Sequence, residues 1–166
     1  MPISPLPKLH YAKLTDLHED TLRKRGIRLL MLDFDNTIVP YTTDIPTGEM
    51  LAWLEHMKAL PDIQVCVVSN SHNGRVPTIS RELGLDCITY ARKPFGKGIR
   101  QCLKKYGVPA DQAALAGDQI YTDILGANGT GVLPILIDSI HNHNLWLKAR
   151  HLLEVPFIAI ARRKYQ

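Results

Sequence analysis

The chain has 166 residues, 45% of them hydrophobic and 22% charged, which suits one globular domain over residues 1–166 with its own core and excludes a disordered or low-complexity protein. No apolar run approaches the about 18 residues needed to cross a bilayer, and the N-terminus lacks the apolar centre of a secretory leader, so a cytoplasmic protein is expected. A net charge of +4 and a pI near 9.0 favour encounter with anionic partners, while Cys66, Cys87 and Cys102, odd in number and without paired short spacing, read as reduced thiols rather than disulfides or a zinc site.

In chain order, residues 16–25 read as a first helix. Asp16-x-x-Glu19 resembles a capping box, Gly26 is a stop, and Arg23-Lys24-Arg25 suit the negative end of the helix dipole. A strand is expected near 27–33, where Leu29, Leu30, Met31 and Leu32 form a short continuous apolar run, the mark of a central parallel strand covered on both faces. It delivers Asp33-Phe34-Asp35-Asn36-Thr37. Two carboxylates two residues apart at a strand end leave the chain on about the same side, so one can attack phosphorus while the other handles protons. An ordinary Asp/Asn turn is the competing reading.

A turn-rich stretch from Pro40 to Pro46 precedes a helix at 47–60, and residues 63–69 read as a second buried strand ending in Ser69-Asn70. Ser69 can offer a hydroxyl and an amide to phosphate oxygens, or can belong to a plain turn or cap. A helix at 75–83 and a strand at 87–90 lead to Lys93-Pro94, where an ammonium can face a phosphate or simply be solvated. After a helix at 98–106, the strand 113–117 delivers Gly117-Asp118, with Thr122 and Asp123 behind it. Asp118 is a hard oxygen ligand of the kind Mg²⁺ prefers, and Asp123 can also cap the helix expected at 120–127. A last strand at 132–137, the polar loop His141-Asn142-His143, and a basic amphipathic segment at 145–153 complete the reading, the last either covering the sheet or touching membrane. This alternation predicts a doubly wound α/β protein with a parallel sheet. Aromatics interleaved with basic residues, as on nucleic-acid platforms, are not evident, and no nucleic-acid partner is expected.

The ordered set Asp33-x-Asp35-x-Thr37, Ser69, Lys93 and Gly117-Asp118-x-x-x-x-Asp123 resembles the haloacid dehalogenase (HAD) superfamily. Within it, the runs Asp33 to Pro40, Val68-Ser69-Asn70 with Arg75-Val76, Ala91-Arg92-Lys93-Pro94, and Gly117-Asp118-Gln119 with Thr122-Asp123 resemble the subfamily IIIA phosphatases of the YqeG family, which are similar to phosphatidylglycerophosphate phosphatases. The resemblance implies a HAD-like (Rossmannoid) three-layer α/β/α fold. It also implies a capless form, because neither the interval from Asp33 to Ser69 nor that from Ser69 to Lys93 holds a second domain. Asp33 is then the nucleophile and Asp35 the general acid and base. Asp33, Asp118 and the backbone carbonyl of Asp35 hold Mg²⁺. Ser69 and the Asn70 amide hold the transferring oxygens, Lys93 neutralises charge, Asp123 supports Lys93 or the ion, and Arg75 contacts substrate. One departure stands out: Asn128-Gly129-Thr130-Gly131 occupies the place where Asn-Arg-x-Gly is expected.

The expected activity is therefore a Mg²⁺-dependent phosphomonoesterase working through an aspartyl-phosphate. Its leading substrate is phosphatidylglycerophosphate, with peripheral contact to an anionic membrane, including the inner membrane surface, as an associated expectation. Soluble phosphometabolites, phosphoproteins and nucleic-acid ends are the alternative substrates, and a catalytically silent HAD-fold binding module is the alternative outside enzymes.

Overall fold

A computed structural model of the chain describes residues 4–140. Six parallel strands, β1 (Leu9–Tyr11), β2 (Leu29–Leu32), β3 (Gln64–Val68), β4 (Asp86–Ile88), β5 (Ala113–Gly117) and β6 (Leu133–Ile137), form one sheet in the order β1-β6-β5-β2-β3-β4. Five helices accompany them: α1 (Glu19–Arg23), α2 (Gly48–Ala59), α3 (Arg75–Glu82), α4 (Lys97–Tyr106) and α5 (Leu125–Thr130). The segments at 141–143 and 145–153 read above lie outside the described residues.

The period-two geometry of a strand explains why β2 is apolar at every position. Leu30 and Leu32 pack into a core with Leu22 of α1, Leu54 and Met57 of α2 and Ile79 of α3. Leu29 and Met31 pack on the opposite face with Ile99 and Cys102 of α4 and Ala127 of α5. The result is three layers, α/β/α, as expected. Cys66 and Cys102 are buried and all three cysteines are free.

Two local expectations change. Asp16 does not open a helix; its carboxylate accepts the Lys13 backbone N–H at 3.1 Å within a 3₁₀ turn, and α1 begins at Glu19 without a side-chain cap on His18. The helix expected at 120–127 is a wide π-type turn over Ile120–Ile124 that passes into α5. Strand β1 is additional. Its three residues, Leu9-His10-Tyr11, are too few to show a period, and pairing with β6 supplies the strand geometry.

The sheet order places the site. From β2 the chain winds outward through β3 and β4, then returns to the other side of β2 with β5. The cleft between the carboxyl ends of β2 and β5 is thus a topological switch point, where ligands of open α/β sheets bind. Leu32 lies beside Ala116, so Asp33 and Gly117-Asp118 emerge side by side. Between Asp33 and Ser69 lie only a loop, α2 and β3, and between Ser69 and Lys93 only α3 and β4 with their loops, so neither interval carries a cap domain.

Candidate active site

Asp33 continues the ladder of β2, its N–H donating to the Ala116 carbonyl at 2.8 Å. The chain then folds tightly on itself: the N–H groups of Thr37, Ile38 and Val39 all converge on the Phe34 carbonyl, and Asn36 takes a left-handed conformation with φ of 59°. Asn tolerates that region better than most residues. Phe34 is driven into the core while Asp33 stays at the cleft, 7% exposed.

Ser69 ends β3, its N–H on the Ile88 carbonyl and its own carbonyl receiving the Ala91 N–H. Its Oγ accepts the Ser71 N–H at 3.0 Å, which leaves the hydroxyl hydrogen uncommitted. The Asn70 side chain clamps the Lys93 backbone on both sides, Oδ1 accepting from the Lys93 N–H at 2.8 Å and Nδ2 donating to the Lys93 carbonyl at 3.0 Å. Only the Asn70 backbone N–H then remains for phosphate. The clamp sits in a constrained loop, with Tyr90 and Arg92 both at φ of 52°.

This loop drives Lys93 inward. Its Nζ lies 2.5 Å from Asp33 Oδ1 and 2.7 Å from Asp123 Oδ1. Carboxylate oxygens of Asp33, Asp118 and Asp123 all lie within 4.8 Å of one another and all three residues are buried. Asp123 is further fixed by the Gln119 N–H on its Oδ2 at 3.1 Å. Gly117 allows this approach, since a Cβ there would stand 2.4 Å from Asp123 Cγ.

Three buried carboxylates around one ammonium leave two negative charges uncompensated. The electrostatics register the imbalance. Burial pushes the Asp33 carboxyl up to about 7, the Lys93 ammonium only partly offsetting this, and the Asp123 and Asp35 charges add to the rise. Asp118 is raised well above the ordinary carboxylate range, by burial first and then by Asp33 and Asp123. Burial works against the Lys93 charge, but Asp123 and Asp33 outweigh it and hold the ammonium protonated. Asp118 Oδ1 is buried without a hydrogen-bond partner. A buried oxygen of this kind is costly unless something pairs with it. A dication ligated by hard oxygens fits both the missing partner and the missing charge.

The structure thus brings Asp33, Asp118, Asp123 and Lys93 into one cluster, with Ser69 and Asn70 on the adjoining loop. Asp123 stands inside the carboxylate set rather than beside it. The Asp35 side chain is not in that set, so any contribution to an ion rests on its backbone carbonyl. Its Oδ1 instead accepts from Arg75 Nη1, whose side chain is 22% exposed. The guanidinium also reaches Asp44 Oδ1 and the Thr43 carbonyl, and lies 5.4 Å from the Phe34 ring centroid. Asp44 is the participant that sequence reasoning missed, since an acidic residue in a turn-rich loop carries no signal of its own. Gly129, where an arginine was expected, is exposed on α5 with open space around it.

Comparison with known proteins sets these residues in context. A family profile described as "Mitochondrial PGP phosphatase" matches residues 2–140. The chain is 32% identical over 132 residues to "Probable phosphatase YqeG" of Bacillus subtilis (strain 168), covering 80% of this chain and 76% of that protein. It is 24% identical over 143 residues to "Phosphatidylglycerophosphate phosphatase 1, chloroplastic/mitochondrial" of Arabidopsis thaliana, covering 80% of this chain but 40% of the longer plant protein. Among solved structures, the cobalt-bound deoxy-D-mannose-octulosonate 8-phosphate phosphatase of Haemophilus influenzae superposes with a TM-score of 0.54 at 17% identity, over 78% of this chain and 89% of that one. A haloacid dehalogenase-like hydrolase of Streptococcus pneumoniae gives 0.55 at 11% identity, over 71% and 88%. At these identities the solved structures speak to the fold alone.

Proposed function

The chain belongs to the mitochondrial PGP phosphatase family and is a phosphoric monoester hydrolase of the haloacid dehalogenase superfamily, and from that premise we propose a Mg²⁺-dependent mechanism through an aspartyl-phosphate, with phosphatidylglycerophosphate as substrate. The observation that supports it is the cluster itself: Lys93 Nζ bridging Asp33 and Asp123, with a partnerless Asp118 oxygen in the same buried set.

Asp33 attacks phosphorus with the carboxylate oxygen that Lys93 does not hold. A bond from that oxygen to phosphorus forms as the bond from phosphorus to the leaving alcohol breaks, and Asp35 gives its proton to the departing oxygen. In the second half Asp35 takes a proton from water as the water oxygen attacks phosphorus, and the bond to Asp33 breaks to release inorganic phosphate. Lys93, fixed from two sides, faces the charge that develops on the phosphoryl oxygens, and Ser69 with the Asn70 N–H takes the others. These groups are in place before reaction, so most of the acceleration is electrostatic and positional. Asp33 and Asp118, with the Asp35 carbonyl, would hold Mg²⁺, which offsets phosphate charge when bound. The open, capless mouth suits a phosphate presented by a large molecule such as a lipid.

The test is hydrolysis of an aryl phosphate with and without Mg²⁺, beside Asp33→Asn. Turnover above that variant is expected, and its absence would leave a silent binding module. Phosphatidylglycerophosphate in mixed micelles, compared with a panel of soluble phosphates, then decides the substrate; preference for the panel removes the lipid.

A further inference from the structure

All six exposed large hydrophobic residues among those described belong to one end of the molecule: Tyr41, Ile45, Leu51, Tyr90, Phe95 and Ile140. The topology requires this. Every strand is parallel, so the segments leaving β2, β4 and β6 share one edge of the sheet. Tyr41 and Ile45 lie in the loop after β2, Leu51 in the first turn of α2 that continues it, Tyr90 and Phe95 after β4, and Ile140 after β6. That edge also carries Asp33, Ser69, Lys93 and Asp118. Ile45 and Phe95 are each 78% exposed, a costly disposition for side chains of this size unless something covers them.

Outside the buried carboxylate cluster, the exposed charges left unpaired around Phe95 among the described residues are cationic. Asp44 is taken by Arg75, and Glu49 by Lys13 and Thr15. Arg92 and Lys97, by contrast, are exposed, flank Phe95 in sequence, and have no carboxylate partner among the described residues. The loop is braced as well, Arg100 Nη2 donating to the Phe95 carbonyl at 2.6 Å. The opposite end of the sheet is also basic, with Arg25, Arg28 and Lys104 exposed, but among the described residues it presents no exposed large hydrophobic side chain. Among the described residues, apolar anchors and unpaired cations therefore coincide only around the mouth.

We propose that this rim is an interfacial docking surface that seats the active site on an anionic phospholipid bilayer, Phe95 and Ile45 entering the interface while Arg92 and Lys97 meet lipid phosphates. Apolar side chains beside cations are the combination that binds anionic membrane surfaces. The proposal deepens the lipid-phosphatase reading and rests on it for the orientation it explains: a headgroup phosphate reaches an open cleft only if the cleft faces the membrane.

Flotation of the full chain with phosphatidylcholine vesicles, with and without phosphatidylglycerol, tests it. Binding to the anionic vesicles, weakened by salt, is expected. Ile45→Ser and Phe95→Ser should each weaken it roughly tenfold and leave aryl phosphate turnover unchanged, which shows the variants folded. Arg92→Gln with Lys97→Gln should cost about fivefold per cation. The charge-matched pair Arg28→Gln with Lys104→Gln, at the far end, should cost nothing. Equal losses from both charge pairs, indifference to the Ser variants, or no binding by the unaltered chain overturns the proposal. So does a dimer that the Ser variants dissociate while vesicle binding persists, since the rim would then join two copies. Hydrolysis of phosphatidylglycerophosphate in micelles without vesicle binding removes the rim alone. Vesicle binding without that hydrolysis removes only the lipid substrate.

Discussion

Arg75 Nη1 donates to Asp35 Oδ1 at 2.5 Å while Nε of the same guanidinium holds Asp44 Oδ1, so α3 ties the second carboxylate of the first motif to the loop that follows it. In the proposed mechanism this contact makes Arg75 a positioning residue for Asp35. Arg75→Ala should lower kcat by roughly 10²-fold, the cost of misplacing a reacting group by about 1 Å, with KM little changed. Arg75→Lys should fail to rescue it, because an ammonium lacks the planar fork that spans Asp35, Asp44 and the Thr43 carbonyl. Steady-state kinetics decide: a raised KM with intact kcat would make Arg75 a substrate contact instead.

Lys93 is the sole cation hydrogen-bonded within the buried carboxylate set among the described residues, so it has a structural burden besides the catalytic one proposed for it. Lys93→Ala should destabilise the fold by about 3–5 kcal/mol, the range for stripping a buried charge of its partner, and lower turnover by at least ~10²-fold. Asp33→Asn should abolish turnover without that loss, since it removes charge from an over-acidic cluster. Urea melts of both, and of Lys93→Ala with Asp123→Asn, separate the roles: the double variant should regain stability but not activity.

The charge imbalance also fixes a pH dependence. Asp33 stands at about 7 when folded against an ordinary 3.8, and Asp118 is raised too, so across that interval the folded chain binds more protons than the unfolded one. Stability from this source is full below about pH 4 and is lost as pH rises through about 7. A divalent ion favours the ionised carboxylates, so the gain in Tm on adding Mg²⁺ to chelator-treated protein should grow over the same window. Melts at acid and at mildly alkaline pH test this. A Mg²⁺ effect largest in acid would contradict it.

Gly117 is glycine because of Asp123. A methyl there meets Asp123 Cγ and Oδ2 at 2.4 Å, so Gly117→Ala should push Asp123 off Lys93, cost about 1–3 kcal/mol as overpacking does, and depress kcat. Gly129→Ala, with nothing within 4 Å of the added carbon, should instead stabilise α5 by about 0.5–1 kcal/mol and leave turnover unchanged. Thermal melts and kinetics on the pair check whether close approach, rather than helix preference, sets the requirement at Gly117.

Much of this was legible in the residues. A strand buried on both faces must be apolar where it is covered, so β2, β5 and the buried end of β3 announced themselves, and polar residues ending such runs could only lie at the edge where the strands stop. That places Asp33, Ser69 and Asp118 without coordinates. Lys93 was legible as a cation facing the nucleophilic carboxylate with Asp123 to support it, but what aims it was not, because its direction is set by the Asn70 clamp and the constrained loop around it, and a distant side chain supplies that clamp. Arg75 was read as a substrate contact, and its bonds to Asp35 and Asp44 were not legible. An arginine's partners are whichever acceptors the fold brings within reach, and here these were Asp35, Asp44 and two loop carbonyls.

The sequence by itself determined the layered sheet and the candidates for the reactive groups, since both follow from local pattern and side-chain chemistry. Only the tertiary structure decided that Asp123 joins Asp33 and Asp118 around one ammonium, that Asp35 is held by Arg75, and that the exposed apolar residues share the mouth. Each of these is a relation between segments far apart in the chain, and electrostatic balance and surface exposure acquire values only once folding has set those distances.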